Sequence, residues 1–244
     1  MNPFSPDVLA KLRKFDTPTI CNVVELFDVR PRNTGYMDER IKTCFPEMPA
    51  IVGFAATATF RGSAPARQND AYADLGKQIE RFSELSGPAI VVFQDLDNPS
   101  AAATFGEIMC TAYQTFGAVG LITSGTGRDL DQVRRIGFPV FTNGAVCAHG
   151  YVHIPQIHIP VHVGGIIVYP NDMLHADCNG VTTIPLEIAA EVADAGDEFV
   201  AAEAVVLDCL HTNPTLAQFQ EARAESRRKI EALHARLSRA RKDQ

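Results

Sequence analysis

Short apolar runs alternate with glycine-bounded polar breaks through the middle of the chain. Ala89-Ile-Val-Val-Phe and Gly120-Leu-Ile-Thr-Ser read as buried strands, and a third apolar run spans 139–142. Continuous apolar runs of this length fit strands covered on both faces. Between them, helical spacing runs from about Phe105 to Phe116, where Gly117 closes it, and again over a short segment after Asp129. The order strand, helix, strand, helix, strand favours parallel pairing with right-handed crossovers. Upstream, residues 6–27 read as helix with a break at Asp16-Thr17-Pro18, since proline suits a first helical turn after an Asp or Thr cap. Residues 29–49 read as loop, 51–61 as strand and 69–85 as helix. Beyond Gly144, residues 151–169 look strand-rich, and Pro170-Asn171-Asp172 is a turn. The segment ADCNGVTTIP ends the β part. From Pro185 the chain is helical. Its last stretch, about 215–240, carries six arginines or lysines interleaved with Glu, with Arg241 just beyond, and places Ile230, Leu233 and Leu237 at helical spacing. That stretch is either an amphipathic helix, docked or frayed, or a basic tail for RNA or a membrane surface.

Composition narrows the class. The 244 residues are 46% hydrophobic and 21% charged, with net charge −7. An acidic chain has no general attraction to nucleic acid or anionic lipid, so any anionic substrate needs a local positive site. No apolar run approaches the roughly 20 residues that span a bilayer. The first residues, MNPFSPDVLAKLRKFD, lack the apolar core of a secretory signal. Six scattered cysteines without a C-x-x-C pair read as reduced thiols. A cytoplasmic enzyme or binding protein is the expectation.

The chemistry concentrates at Gly125-Thr-Gly127-Arg128-Asp129, where a strand ends in a glycine turn. Open α/β sheets collect ligands at the C-terminal ends of their strands. The guanidinium fork of Arg128 matches a carboxylate or phosphate, and the carboxylate of Asp129 suits a hard divalent cation. Upstream, Gly106-Glu107 opens a helix, whose free N–H groups form an anion site. Twenty residues separate Glu107 from Arg128. One helix and one strand consume that spacing and return the chain to the same sheet edge, so Glu107, Arg128 and Asp129 can meet. A plain structural ion pair between Arg128 and Asp129 is the competing reading. The glycine turn lacks G-x-G-x-x-G and G-K-[ST], which argues against a nucleotide site. Asp95 and Asp97, at a strand exit, either line the pocket or cap a turn. Asp172 and Asp177 read as turn residues. His149, His153, His158 and His162 are strand or interface histidines, or else a second metal site or a substrate loop.

Taken in order, these motifs resemble the RraA-like family, which includes class II 4-hydroxy-4-methyl-2-oxoglutarate and 4-carboxy-4-hydroxy-2-oxoadipate aldolases. Gly106-Glu107, the spacing to Arg128-Asp129, and Gly137-Phe-Pro-Val-Phe carry the likeness. So do the run from Pro160 to Asp172, with Gly164-Gly165 and Pro170-Asn171-Asp172, and Ala176-Asp177-Cys178-Asn179-Gly180-Val181 with Ile184-Pro185. The resemblance implies an α/β fold, a swivelling β/β/α domain over residues 1–205, followed by a helical basic tail over 206–244. It implies a homo-oligomer, a trimer or dimer of trimers, with active sites between subunits. It implies Mg²⁺ or Mn²⁺ held by Asp129 and waters, with Arg128 on the carboxylate or keto oxygen of a small oxo-acid substrate. Glu107 would hold waters, backbone N–H groups of Gly106, Glu107, Ile108 and Met109 would receive the substrate carboxylate, and a neighbour's Glu203, or Glu198 in its place, would complete the site. The implied activity is a lyase that releases pyruvate through an enolate. A non-catalytic regulator that binds a ribonuclease or other protein is the alternative the same family offers. Asn171 replaces the family's usual glycine, and asparagine tolerates the left-handed geometry such a turn needs.

Overall fold

A computed structural model describes residues 5–67 and 74–239. The chain opens with α1 (Pro6–Leu12) and α2 (Thr17–Glu25), broken where the sequence predicts. The Asp16 side chain accepts the Thr19 amide at 2.8 Å and Pro18 sits in the first turn. The loop that follows contains a two-residue edge strand, β1 (Lys42–Thr43), before β2 (Ile51–Phe60). Every residue of β2 is buried, as befits a strand packed on both faces.

Next come α3 (Leu75–Glu80), which runs into a 3₁₀ turn at Arg81–Glu84, and β3 (Ala89–Asp95). Of the expected helix over 69–85, α3 and the 3₁₀ turn account for residues 75–84, and residues 68–73 lie outside the described residues. The central units are β4 (Ala103–Phe105), α4 (Glu107–Thr115), β5 (Ala118–Thr123), β6 (Thr126–Gly127), α5 (Leu130–Arg135) and β7 (Val140–Thr142). β8 (Val161–Val163) and β9 (Ile166–Val168) form a hairpin, and β10 (Met173–Asp177) and β11 (Gly180–Ile184) form another. The region 151–169 is less strand-rich than its sequence suggests. Pro155 and Pro160 lack N–H donors for a ladder, and only isolated bridges at His153 and Ile157 precede β8. The chain ends in α6 (Ala189–Leu210) and α7 (Leu216–Leu237).

Seven strands form one sheet in the order β1-β7-β5-β3-β2-β10-β11. β2, β3, β5 and β7 are parallel, as the alternating pattern predicts, and antiparallel strands flank them. One face carries the helices: α1, α2, α6 and α7 pack with Val52 and Phe54, whereas Tyr113 of α4 and Val133 of α5 pack with Val91 and Phe93. The other face, with Ile90, Val92 and Ile122, is covered by Val161, Val163 and Val168 of the β8–β9 hairpin. Hairpin, sheet and helices make the three layers of the expected α/β fold. Asn171 has φ 69°, the left-handed geometry its turn requires.

The expected boundary after residue 205 falls inside α6. α7 is docked rather than frayed: Leu233 and Leu237 are buried in the same cluster as Leu12 and Phe27. Several of its cations face acids of the chain, including Arg236 to Glu198 at 2.6 Å, and Arg239, just past its end, faces Glu191 at 2.6 Å. Among the described residues no helix is long and apolar enough to cross a membrane.

Candidate functional site

A parallel ribbon of β4 and β6, separate from the main sheet, builds the site. Phe105 pairs with Gly127, and the Arg128 amide donates to the Phe105 carbonyl at 3.2 Å. The ribbon therefore delivers Gly106-Glu107 and Arg128-Asp129 to one point, as the spacing argument requires. Gly127 is a packing glycine: a Cβ there would lie 2.0 Å from the Phe105 ring. This accounts for the Gly125-Thr-Gly127 turn without a phosphate.

Asp129 stands at the N-cap of α5 with φ 57° and ψ 36°, yet caps nothing there. Left-handed backbone costs a non-glycine residue about 1–3 kcal/mol, and such residues cluster at functional sites. Its carboxylate instead turns back towards α4 and accepts the Glu107 amide at Oδ2, 3.1 Å away. Gly106 makes that approach possible, since a Cβ on it would sit 2.6 Å from Asp129 Oδ2. Arg128 Nε lies 3.7 Å from the same oxygen, and both side chains remain 34% exposed. A pair this long and this wet contributes little stability, so a purely structural ion pair explains the arrangement poorly. Cys110, buried behind Asp129, has its thiol pushed up by burial and then by the Asp129 charge.

The amide of Glu107 is thus taken by Asp129. In the first turn of α4 the amides of Ile108 and Met109 have no intrahelical acceptor. The Glu107 side chain is exposed, Ile108 is 83% exposed and Met109 is half-buried. Glu203 lies elsewhere, on α6, which packs against α1, α2 and α7. Among the described residues no hydrogen bond or ion pair links Glu203 to Glu107, Arg128 or Asp129. Burial, and then the neighbouring Asp16 charge, raise the Glu203 carboxyl above its usual range. Glu198 is engaged by Arg236 of α7.

The donor set suits one kind of metal. Among the described residues no group of three His, Cys, Asp or Glu could hold an ion. A single carboxylate beside open space fits Mg²⁺ or Mn²⁺, which keep most of their waters, and not an all-protein cage. The histidines do not converge on a second site: His149 Nδ1 and His153 Nδ1 face backbone carbonyls of Gly150 and Tyr151, and His158 lies 3.7 Å from Glu84.

Asp97 caps a turn, accepting the Gly62 and Ser63 amides at 2.8 and 2.9 Å. Asp95 and Asp97 also line a polar cleft of about 420 Å³ with Arg40, Asn143 and His162. The cleft lies at the start of the ribbon, and the Arg128-Asp129 pair at its end. Burial raises the Asp95 carboxyl. Asp172 is a turn residue, accepting the Tyr169 amide at 2.8 Å. Asp177 does more than turn the chain: it is buried and accepts the Thr17 amide at 2.9 Å, fixing the start of α2. All six cysteines are free, with Cys110 buried and Cys147 and Cys178 exposed.

The RraA-like family profile, described as Aldolase/RraA, matches residues 17–183. A protein of Halalkalibacterium halodurans, provisionally named a 4-hydroxy-4-methyl-2-oxoglutarate aldolase, is 29% identical over 101 residues. That match covers 41% of this chain and 48% of the relative, so the chain spans about half of that protein's length. A solved structure from Pseudomonas syringae superimposes with TM-score 0.72 at 19% identity, over 91% of this chain and 95% of that one. RraAS2 of Streptomyces coelicolor, described as an unusual member of the RNase ES inhibitor RraA protein family, gives 0.66 at 21%, over 82% and 96%. Those two likenesses speak for the fold. The profile spans the β4–β6 ribbon together with Glu107, Arg128 and Asp129, and the chain belongs to the RraA-like family.

Proposed function

We propose that the protein is a divalent-metal-dependent carbon–carbon lyase that releases pyruvate, as an aldolase from a 4-hydroxy-2-oxo acid or as a decarboxylase from oxaloacetate. The family holds both aldolases and ribonuclease inhibitors. The observation that carries the enzymatic reading is the left-handed Asp129, turned back over Gly106 so that its carboxylate and Arg128 share one open edge.

Cleavage of either substrate class leaves the enolate of pyruvate, so the site must stabilise a developing oxyanion beside a carboxylate. Arg128 supplies a permanent cation with fork geometry for those oxygens. The free amides of Ile108 and Met109, at the positive end of α4, suit the substrate carboxylate. Asp129 is the residue to hold Mg²⁺ or Mn²⁺, which when bound supplies Lewis-acid polarisation of the keto group. Glu107 is placed to orient water. The Glu203 carboxyl, raised by burial and then by the Asp16 charge, is the candidate for proton transfer. It would come from a second copy. Exposed Val200 and Leu207 lie close to it on α6, and α4 exposes Ile108 and Phe116, so two apolar faces carry the two halves of the site. The proposed assembly, a trimer or dimer of trimers, would join them.

The regulator reading leans on the basic tail, and several of that tail's cations are already paired within the chain. Incubation with oxaloacetate and with 4-hydroxy-4-methyl-2-oxoglutarate, with and without Mg²⁺ or Mn²⁺, tests the proposal by pyruvate release. Absence of pyruvate from both substrates with either metal would refute it.

A further inference from the structure

The opening between α2, α6 and α7 has no role in the chemistry above. It is a groove of about 720 Å³. Leu26, Phe199, Val206, Leu210, Phe219 and Ile230 line it. On α6 these positions recur at seven- and four-residue spacing, so one helical stripe forms the floor. Polar and charged side chains, Glu25 and Glu231 among them, make up the rest of the lining, and the volume lies in the range of about 300–1,000 Å³ found for small-molecule sites.

The rim is cationic in a selective way. Arg227 is paired with Glu231 at 2.8 Å, and Arg32 lies 3.8 Å from Glu25. His234 is held by Asp28 at 2.7 Å. Arg223 is different. Its guanidinium lies 5.8 Å above the Phe219 ring, and among the described residues no carboxylate lies within ion-pair distance. It stands over an apolar floor with its fork of donors uncommitted. An aromatic face beneath a guanidinium leaves its N–H edges free for an anion.

We infer that this groove binds an amphipathic monoanion, a carboxylate with an apolar aliphatic or aryl body. The body occupies the stripe between α6 and α7, and the carboxylate meets Arg223. Charge complementarity selects this occupant: a cationic amphiphile would meet Arg223 with like charge, and a neutral one would leave it unpaired.

Isothermal titration calorimetry on the full chain with decanoate and 1-naphthoate, against decylamine and decanol, tests the inference. Decanoate or 1-naphthoate should bind saturably. Arg223→Gln should weaken binding by about tenfold or more, and Arg223→Lys should recover part of it. Arg128→Ala should leave this binding unchanged, which separates the groove from the proposed catalytic pair whether or not pyruvate is formed there. The inference is overturned if neither anion binds, if Arg223→Gln binds as well as wild type, or if decylamine binds as tightly as decanoate. Loss of binding in Arg128→Ala overturns it too, because the anion would then sit at the other site. So does exclusion of both anions with Leu210→Asp breaking up an oligomer, because a second copy would then be the occupant.

Discussion

At Gly106 the absence of a side chain decides where the Asp129 carboxylate can sit. The Asp129 oxygen occupies the space that any side chain at 106 would need. Gly106→Ala should therefore lower kcat/KM for pyruvate release by about tenfold or more while the melting temperature changes little. A variant of wild-type activity would show that the close approach is incidental. The meeting of Glu107, Arg128 and Asp129 was legible in the sequence, because one helix and one strand must return the chain to the same edge. The left-handed Asp129 was not. Its backbone is imposed by the ribbon pairing and the start of α5, and no residue type announces it. The Glu107 amide, expected to serve the substrate, is taken by Asp129, and only tertiary placement reveals that.

Among the elements, the turn between α1 and α2 is pinned to β10 by a buried polar cluster. Thr17 Oγ1 donates to His175 Nδ1 at 2.9 Å, and His175 Nε2 donates to the Leu12 carbonyl at 3.2 Å. Burial lowers the His175 pKa from an ordinary value of 6.5, so the neutral imidazole is the folded form. The unfolded chain then binds the extra proton first. This contribution to stability is complete above pH 6.5 and is lost as pH falls below it towards the folded value. Urea midpoints should drop between pH 7 and 5 in wild type, with a shallower slope in His175→Gln; equal slopes would remove His175 from the account. The parallel strands were legible because each is an apolar run bounded by glycine or polar breaks. β1 was not, since two residues at a sheet edge carry no pattern. The overestimate at 151–169 has the opposite cause: apolar alternation was present there, but the prolines break the ladder.

For the whole molecule, α7 is part of the core. Leu233→Ala should cost about 2–5 kcal/mol of stability by cavity formation, read as a lowered denaturant midpoint. Truncation after residue 214 should also destabilise the fold, since it removes Leu233 and Leu237 from the cluster around α1 and α2. The helical spacing of those leucines was legible; the surface they cover was not, because it lies some 200 residues away in sequence. A site divided between copies predicts complementation. Mixed oligomers of the inactive Arg128→Ala and Glu203→Gln chains should regain part of the activity that neither has alone, and no recovery after subunit exchange would argue for a site within one chain. The most direct measurement is pyruvate release from oxaloacetate and 4-hydroxy-4-methyl-2-oxoglutarate by wild type and Asp129→Ala, across a Mg²⁺ and Mn²⁺ titration. The account predicts saturable metal activation in wild type and loss of both the activation and at least about tenfold of the rate in Asp129→Ala. Equal, metal-activated turnover by the two proteins would contradict it.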